Sequence, residues 1–182
     1  MTAKEIQNQV CWYVMRDLKR SNAKVRAYQE FAEKEIEVFT PMEWSVSTQG
    51  GKKTRKRVPL MPDLLFVHSS QAVIDPLLKK TPTTQYIFKK GAGYRNPMTV
   101  DAADMQRFVH AVNSTDDQKY YRPEEITPEM YKRKIRIIGG ALDGYEGGLI
   151  TVRGSKVKRL LVELPNFFAV GVEVEPEMIE FI

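Results

Sequence analysis

The chain has 182 residues, a formal net charge of +5, 42% hydrophobic residues and 28% charged residues, which supports a buried core and allows one ordinary domain or two small ones. No apolar run approaches the ~18 residues that a membrane-spanning helix needs, and residues 1–9 are polar, so a soluble cytoplasmic protein with no membrane partner is expected. The single cysteine, Cys11, has no intrachain disulfide partner and lies beside Trp12 in an apolar run, as a small core residue would.

Residues 10–15 are apolar and β-favouring and predict a buried strand. A helix to about residue 35 follows, capped by Ser21 or Asn22, because Val25, Tyr28 and Ala32 recur at helical spacing beside Phe31. Residues 37–46 return to strand character. The Gln49-Gly50-Gly51-Lys52-Lys53 segment reads as a hairpin tip, with residues 64–67 as the returning central strand. Residues 72–80 predict a helix that buries Val73, Leu77 and Leu78 and holds Pro76 in its first turn, where a missing N–H does no harm. A strand at 85–88 comes next. Thr99 then caps a last helix in which Met105, Phe108, Val109 and Val112 share one face.

That order of elements predicts an α+β sandwich, helices on a small antiparallel sheet. Residues 114–129 turn polar, with Asp116, Asp117, Glu124, Glu125, Pro123 and Pro128, and read as a linker. The expected division is therefore residues 1–114, a linker at 115–130, and a second domain at 131–182.

The positive charge is uneven. Lys52, Lys53, Arg55, Lys56 and Arg57 lie between Gly50 and Pro59 with no acid, whereas residues 131–182 hold eight basic and seven acidic residues. Such a cluster has two readings: a surface that neutralises nucleic-acid phosphates, or a solvated hairpin tip.

In the second part, β-branched runs at 135–138 and 149–152 flank a loop with glycine at 139, 140, 144, 147 and 148. Further strand-like runs fall at 159–164, 168–174 and 178–182, and five short strands with glycine corners predict a small β-barrel. A phosphate-cradling loop is the rival reading of the glycines. It fits poorly, because no Lys-Ser or Lys-Thr follows the last glycine and no helix pattern begins there.

The stretch with Gly140, Gly144, Tyr145, Glu146 and Gly147 resembles a KOW motif, as found in NusG-type elongation factors and several ribosomal proteins. The first part resembles the NGN domain of NusG and RfaH through Trp12-Tyr13-Val14, Pro41, the basic loop, Pro62-Asp63-Leu64-Leu65-Phe66-Val67 and Pro97-Met98-Thr99. The resemblance implies an NGN sandwich followed by a small SH3-like KOW barrel, acting in transcription elongation and antitermination. Its implied partners are the clamp helices of RNA polymerase, the non-template DNA strand or nascent RNA, and a ribosomal protein or other factor at the KOW domain.

By that resemblance an exposed apolar hollow of Met61, Leu64, Phe66, Ile87 and Phe88, supported by Trp12, docks on polymerase; ordinary core packing is the competing role for each of them. Lys19, Arg20 and Lys24, at the start of the first helix, fall where relatives touch the non-template DNA strand, and Lys52, Lys53, Arg55, Lys56 and Arg57 of the loop are candidate nucleic-acid contacts by their clustered charge. The NusG segment that meets Rho and a ribosomal protein is replaced by Leu164-Pro165-Asn166-Phe167-Phe168-Ala169-Val170, so neither coupling is implied by it, and Phe167 and Phe168 are the candidate partner surface. That departure suggests a specialised paralogue similar to the UpxY-type antiterminators of surface-polysaccharide operons. The abundant Val and Ile after residue 134 predict a barrel that does not refold into helices.

No convergent acid, base or nucleophile suggests an enzyme, and no cofactor or metal is expected. His68 and His110 stand alone in a strand and on a helix surface, without ligand spacing. The alternative function is a translation-associated KOW protein that binds RNA.

Overall fold

Cys11–Asp17 forms strand β1, as an unbroken β-favouring run should. The computed structural model describes residues 7–20, 23–89, 96–151 and 154–182, and the chain divides into two compact units, Met1–Ala102 and Ala103–Ile182.

In the first unit β1 is followed by α1 (Ala27–Glu33), β2 (Glu37–Phe39), β3 (Met42–Gln49), β4 (Lys52–Pro59), β5 (Leu64–Ser69), α2 (Gln71–Lys80), β6 (Thr84–Tyr86) and β7 (Thr99–Val100). The main sheet is antiparallel in the order β2-β5-β1-β6, with β7 also paired to β1. Strand alternation sends Tyr13, Met15, Leu65 and Val67 into a core with Ala27 and Phe31 of α1 and Ile74 of α2. Trp12, Val14, Leu64 and Phe66 point to the opposite face.

Several local expectations change. Ser21 and Asn22 lie outside the described residues, and α1 begins at Ala27, whose N–H donates to Asp17 Oδ2 at 2.9 Å. A carboxylate from β1 thus occupies the helix N-terminus, where its charge is favourable. The hairpin that starts at β3 returns through β4 rather than β5, while β5 lies between β2 and β1 in the main sheet. Pro41, without an N–H, separates β2 from β3.

In α2, Pro76 falls in the second turn, because the helix starts at Gln71; Ile74 is its fully buried residue, and Val73 is exposed. Thr99 is a strand residue opposite Tyr13, not a cap.

The second unit holds α3 (Ala102–Asn113), β8 (Gln118–Tyr121), β9 (Lys134–Ile137), β10 (Glu146–Thr151), β11 (Lys158–Leu164), β12 (Phe168–Val174) and β13 (Ile179–Phe181). These strands form one antiparallel six-stranded path, β13-β9-β10-β11-β12-β8. The five expected strands are present. Val152, expected to end one of them, lies outside the described residues.

The expected linker is structured. Tyr120 and Tyr121 of β8 pair with Val170 and Ala169 of β12, and Ile126, Met130 and Tyr131 pack on the cluster of Tyr121, Leu161 and Ala169. The acids and prolines around them occupy exposed 3-10 turns, which is why the segment reads as polar. The last helix groups with this unit: Phe108 meets Phe168 edge-on at 5.2 Å between ring centroids.

A side chain at Gly148 would meet a wall, since a Cβ there would stand 1.9 Å from the Met130 carbonyl oxygen. We therefore expect Gly148→Ala to destabilise the second unit by about 1–3 kcal/mol through overpacking. Chemical denaturation checks this, and an unchanged midpoint would refute the close approach.

Candidate functional site

Asp17 and Arg26 hold together the elements around the expected docking residues. The Asp17 side chain is 3% exposed and that of Arg26 11%. Asp17 Oδ1 accepts from the Lys19 N–H, and Oδ2 accepts from the Ala27 N–H and pairs with Arg26 Nε at 3.2 Å. The same guanidinium donates to the carbonyls of Lys19 at 3.1 Å, Arg20 at 2.9 Å and Pro62. One buried pair therefore fixes the segment before α1 and the turn that delivers Met61 and Leu64. Residue-type reasoning overlooks it, because a lone Asp at a strand end carries no spacing signal toward an Arg nine residues later.

The six expected docking residues do not form one open hollow. Phe66 is fully buried and Trp12 is 6% exposed, so both act as interior side chains. Trp12 stacks on His68 at 4.8 Å, and His68 Nδ1 lies 2.7 Å from Glu37 Oε2. Phe66 lies beside Phe39 at 6.2 Å.

Met61, Leu64, Ile87 and Phe88 are half-buried. Phe88 meets Tyr86 edge-on and lines a shallow recess with Leu78, on the side of α2. Ile87 alternates to the other side, its N–H bonded to the Val14 carbonyl. Leu64 and Ile87 are therefore the expected residues that are partly open on the sheet side opposite α1 and α2, and half-buried Met61 lies in the turn that leads into Leu64.

Beneath that recess, burial and a 2.8 Å hydrogen bond to Asp75 push the Tyr86 hydroxyl pKa well above its usual value. The phenol stays neutral and donates to the carboxylate.

The expected cationic residues also divide. Lys19 pairs with Glu30 and donates to the Val25 carbonyl, which leaves its side chain 16% exposed. Arg20 and Lys24 are exposed in the segment before α1, not within a helix.

Lys52, Lys53, Arg55, Lys56 and Arg57 all lie on β4 and are all exposed. The β3–β4 ribbon is a sheet of its own, closed at its base by the Leu60 N–H to Pro41 carbonyl bond. Its two-residue tip puts Gly50 at φ 57° and Gly51 at φ 78°, left-handed values that suit glycine in a type I′ loop. Among the described residues no helix is long and apolar enough to cross a membrane, and no acidic, histidine or cysteine cluster could hold a metal ion.

In the second unit the glycine loop is a clasp. Gly139, Gly140 and Gly144 take positive φ, and Ile137 bonds across to Gly144 and Tyr145. Arg107 of α3 lies over the Tyr145 ring at 5.0 Å and donates to the Glu146 carbonyl at 2.6 Å, while the Tyr145 hydroxyl donates to the Arg107 carbonyl at 3.2 Å. His110 Nε2 donates to the Ala141 carbonyl at 2.7 Å.

The Glu146 carboxylate takes two bonds from Arg136, whose pKa is raised chiefly by that interaction. Burial raises the Tyr145 pKa and nearby Arg107 opposes the shift. These residues tie α3 to the sheet. Of the expected partner surface, Phe168 is 1% exposed and belongs to the core, and Phe167 is half-buried in the β11–β12 turn.

A helix-backed antiparallel sheet with a separate cationic ribbon, followed by a glycine-clasped antiparallel sheet, defines an α+β architecture. The chain belongs to the NusG family: residues 10–109 match the model described as transcription termination factor NusG. That family comprises transcription elongation and termination factors. No curated protein matches the chain.

Proposed function

We propose that this NusG-family chain is an elongation factor of the antitermination type that binds the clamp helices of RNA polymerase and suppresses pausing on specialised long operons, such as those for surface polysaccharides. The observation that carries this reading is the family match over residues 10–109, which spans the whole first-unit sheet and the turn with Met61 and Leu64. Met61, Leu64 and Ile87 form the primary polymerase-binding surface, with buried Phe66 and Trp12 shaping the strands beneath them. A helical partner is held there by burial of apolar surface. The basic ribbon meets DNA or nascent RNA beside the polymerase.

Residues 131–182 form the KOW barrel in this reading, since β9 to β13 fall on its five expected strands. The altered 164–170 segment favours a specialised factor over the housekeeping one, with Phe167 left to meet its partner.

Capture of core RNA polymerase from nuclease-treated extract tests the reading. Leu64→Asp is the informative variant, because Leu64 is half-buried, whereas an acid at fully buried Phe66 would disrupt the fold. We expect Leu64→Asp to reduce capture about tenfold or more, the scale of an interface hot spot, with unchanged thermal unfolding. Retention on ribosomes in place of polymerase would favour the translation-associated alternative.

A further inference from the structure

Strand register sorts the β3–β4 ribbon into two unlike faces. Trp44, Val46 and Thr48 stand opposite Arg57, Arg55 and Lys53 and share their face. The reverse face carries Glu43, Ser45 and Ser47 with Lys52, Thr54, Lys56 and Val58. Trp44 is 48% exposed and Val46 63% exposed, so two large apolar side chains lie open among the cations of this face. Arg55 lies 4.1 Å over the Trp44 ring and Arg57 lies 5.7 Å from it. A cation–π interaction of this type steadies an exposed indole by only ~0.5–1 kcal/mol. It does not explain three cations on alternate positions of one strand. That spacing is about 6.8 Å per step, comparable with successive phosphates in a stretched single strand.

We propose that this face binds unpaired nucleic acid, with one base stacked on the exposed side of Trp44 and Lys53, Arg55 and Arg57 along its backbone. Charge complementarity selects a polyanion, and the single indole selects an unpaired strand, because a base inside a duplex has no free π-face to offer. Arg55 holds the indole from one side, so the ring is oriented before a base arrives. The inference rests on the reading of the ribbon as a nucleic-acid-binding surface and adds the stacking residue and the ribbon face that takes the strand.

The full-length protein is titrated with oligo-dT, oligo-U and a duplex of matched length, followed by tryptophan fluorescence and by anisotropy of the labelled strand. Trp12 is buried against His68, so Trp44 should dominate any quenching. Single strands should quench, and Trp44→Ala should weaken their binding about 5- to 150-fold, the range for removal of one stacked base. Trp44→Tyr should restore most of that affinity, and duplex affinity should change less than twofold. The tighter of the two oligomers identifies DNA or RNA as the ligand.

Wild-type single-strand affinity in Trp44→Ala, or equal losses on single strand and duplex, would overturn the proposal. If Lys52→Glu with Lys56→Glu weakens all binding while Trp44→Ala does nothing, only stacking fails. If neither matters, the ribbon's role in nucleic-acid binding itself fails.

Discussion

Asp17→Ala is expected to lower the stability of the first unit by about 3–5 kcal/mol, the cost of breaking a buried ion pair by removing one partner. The variant strands the Arg26 guanidinium, leaves the Ala27 N–H without its acceptor, and frees the carbonyls of Lys19, Arg20 and Pro62 from a common donor that is no longer anchored. Asp17→Asn keeps an acceptor for the helix N-terminus and removes only the charge, so its effect should be smaller. Chemical denaturation followed by near-ultraviolet dichroism measures both. Because Pro62, a partner of Arg26, lies between Met61 and Leu64 in one turn, the folded fraction of Asp17→Asn should also bind polymerase less well. An Asp17→Ala protein within about 1 kcal/mol of wild type, against the expected range, would show that the node is not structural.

The second large effect concerns charge. Replacing Lys52, Lys53, Arg55, Lys56 and Arg57 by glutamate should abolish most nucleic-acid crosslinking and flatten its salt dependence. Each phosphate that is no longer neutralised takes roughly 0.7 from the slope of log affinity on log salt for a single strand. The exposure of all five side chains and the separate pairing of the ribbon mean that the fold should tolerate the exchange. Crosslinking that persists with an unchanged slope would return the ribbon to an ordinary solvated hairpin.

Much of this protein was legible in its sequence where one physical signal acted alone. β12 lies at Phe168–Val174, as its dense β-branched run implies, and the glycine pair at 50–51 marks the hairpin tip. Met105, Phe108 and Val112 are buried as their helical spacing requires, while Val109, expected on the same face, is half-buried.

The misreadings come from signals that act across the chain. The start of α1 depends on a carboxylate ten residues earlier in β1, which no local capping rule can anticipate. β8 is short and flanked by acids, so its partner β12 determines its state. Phe66 and Leu64 share a strand face, yet Phe66 is interior and Leu64 half-open, a distinction that alternation cannot make. Trp44 gains its meaning only from the register that sets it beside Arg55 and Arg57.

Docking of this sheet face on polymerase is read out by site-specific photocrosslinking from Met61 in complexes assembled with purified core RNA polymerase. Met61 is half-buried in a turn outside the strands, so a photoreactive residue there should leave the fold intact. We expect a crosslink to the coiled-coil clamp helices of the largest polymerase subunit that disappears when Leu64→Asp is added. No polymerase adduct, or an adduct whose yield is the same with Leu64→Asp, would contradict it.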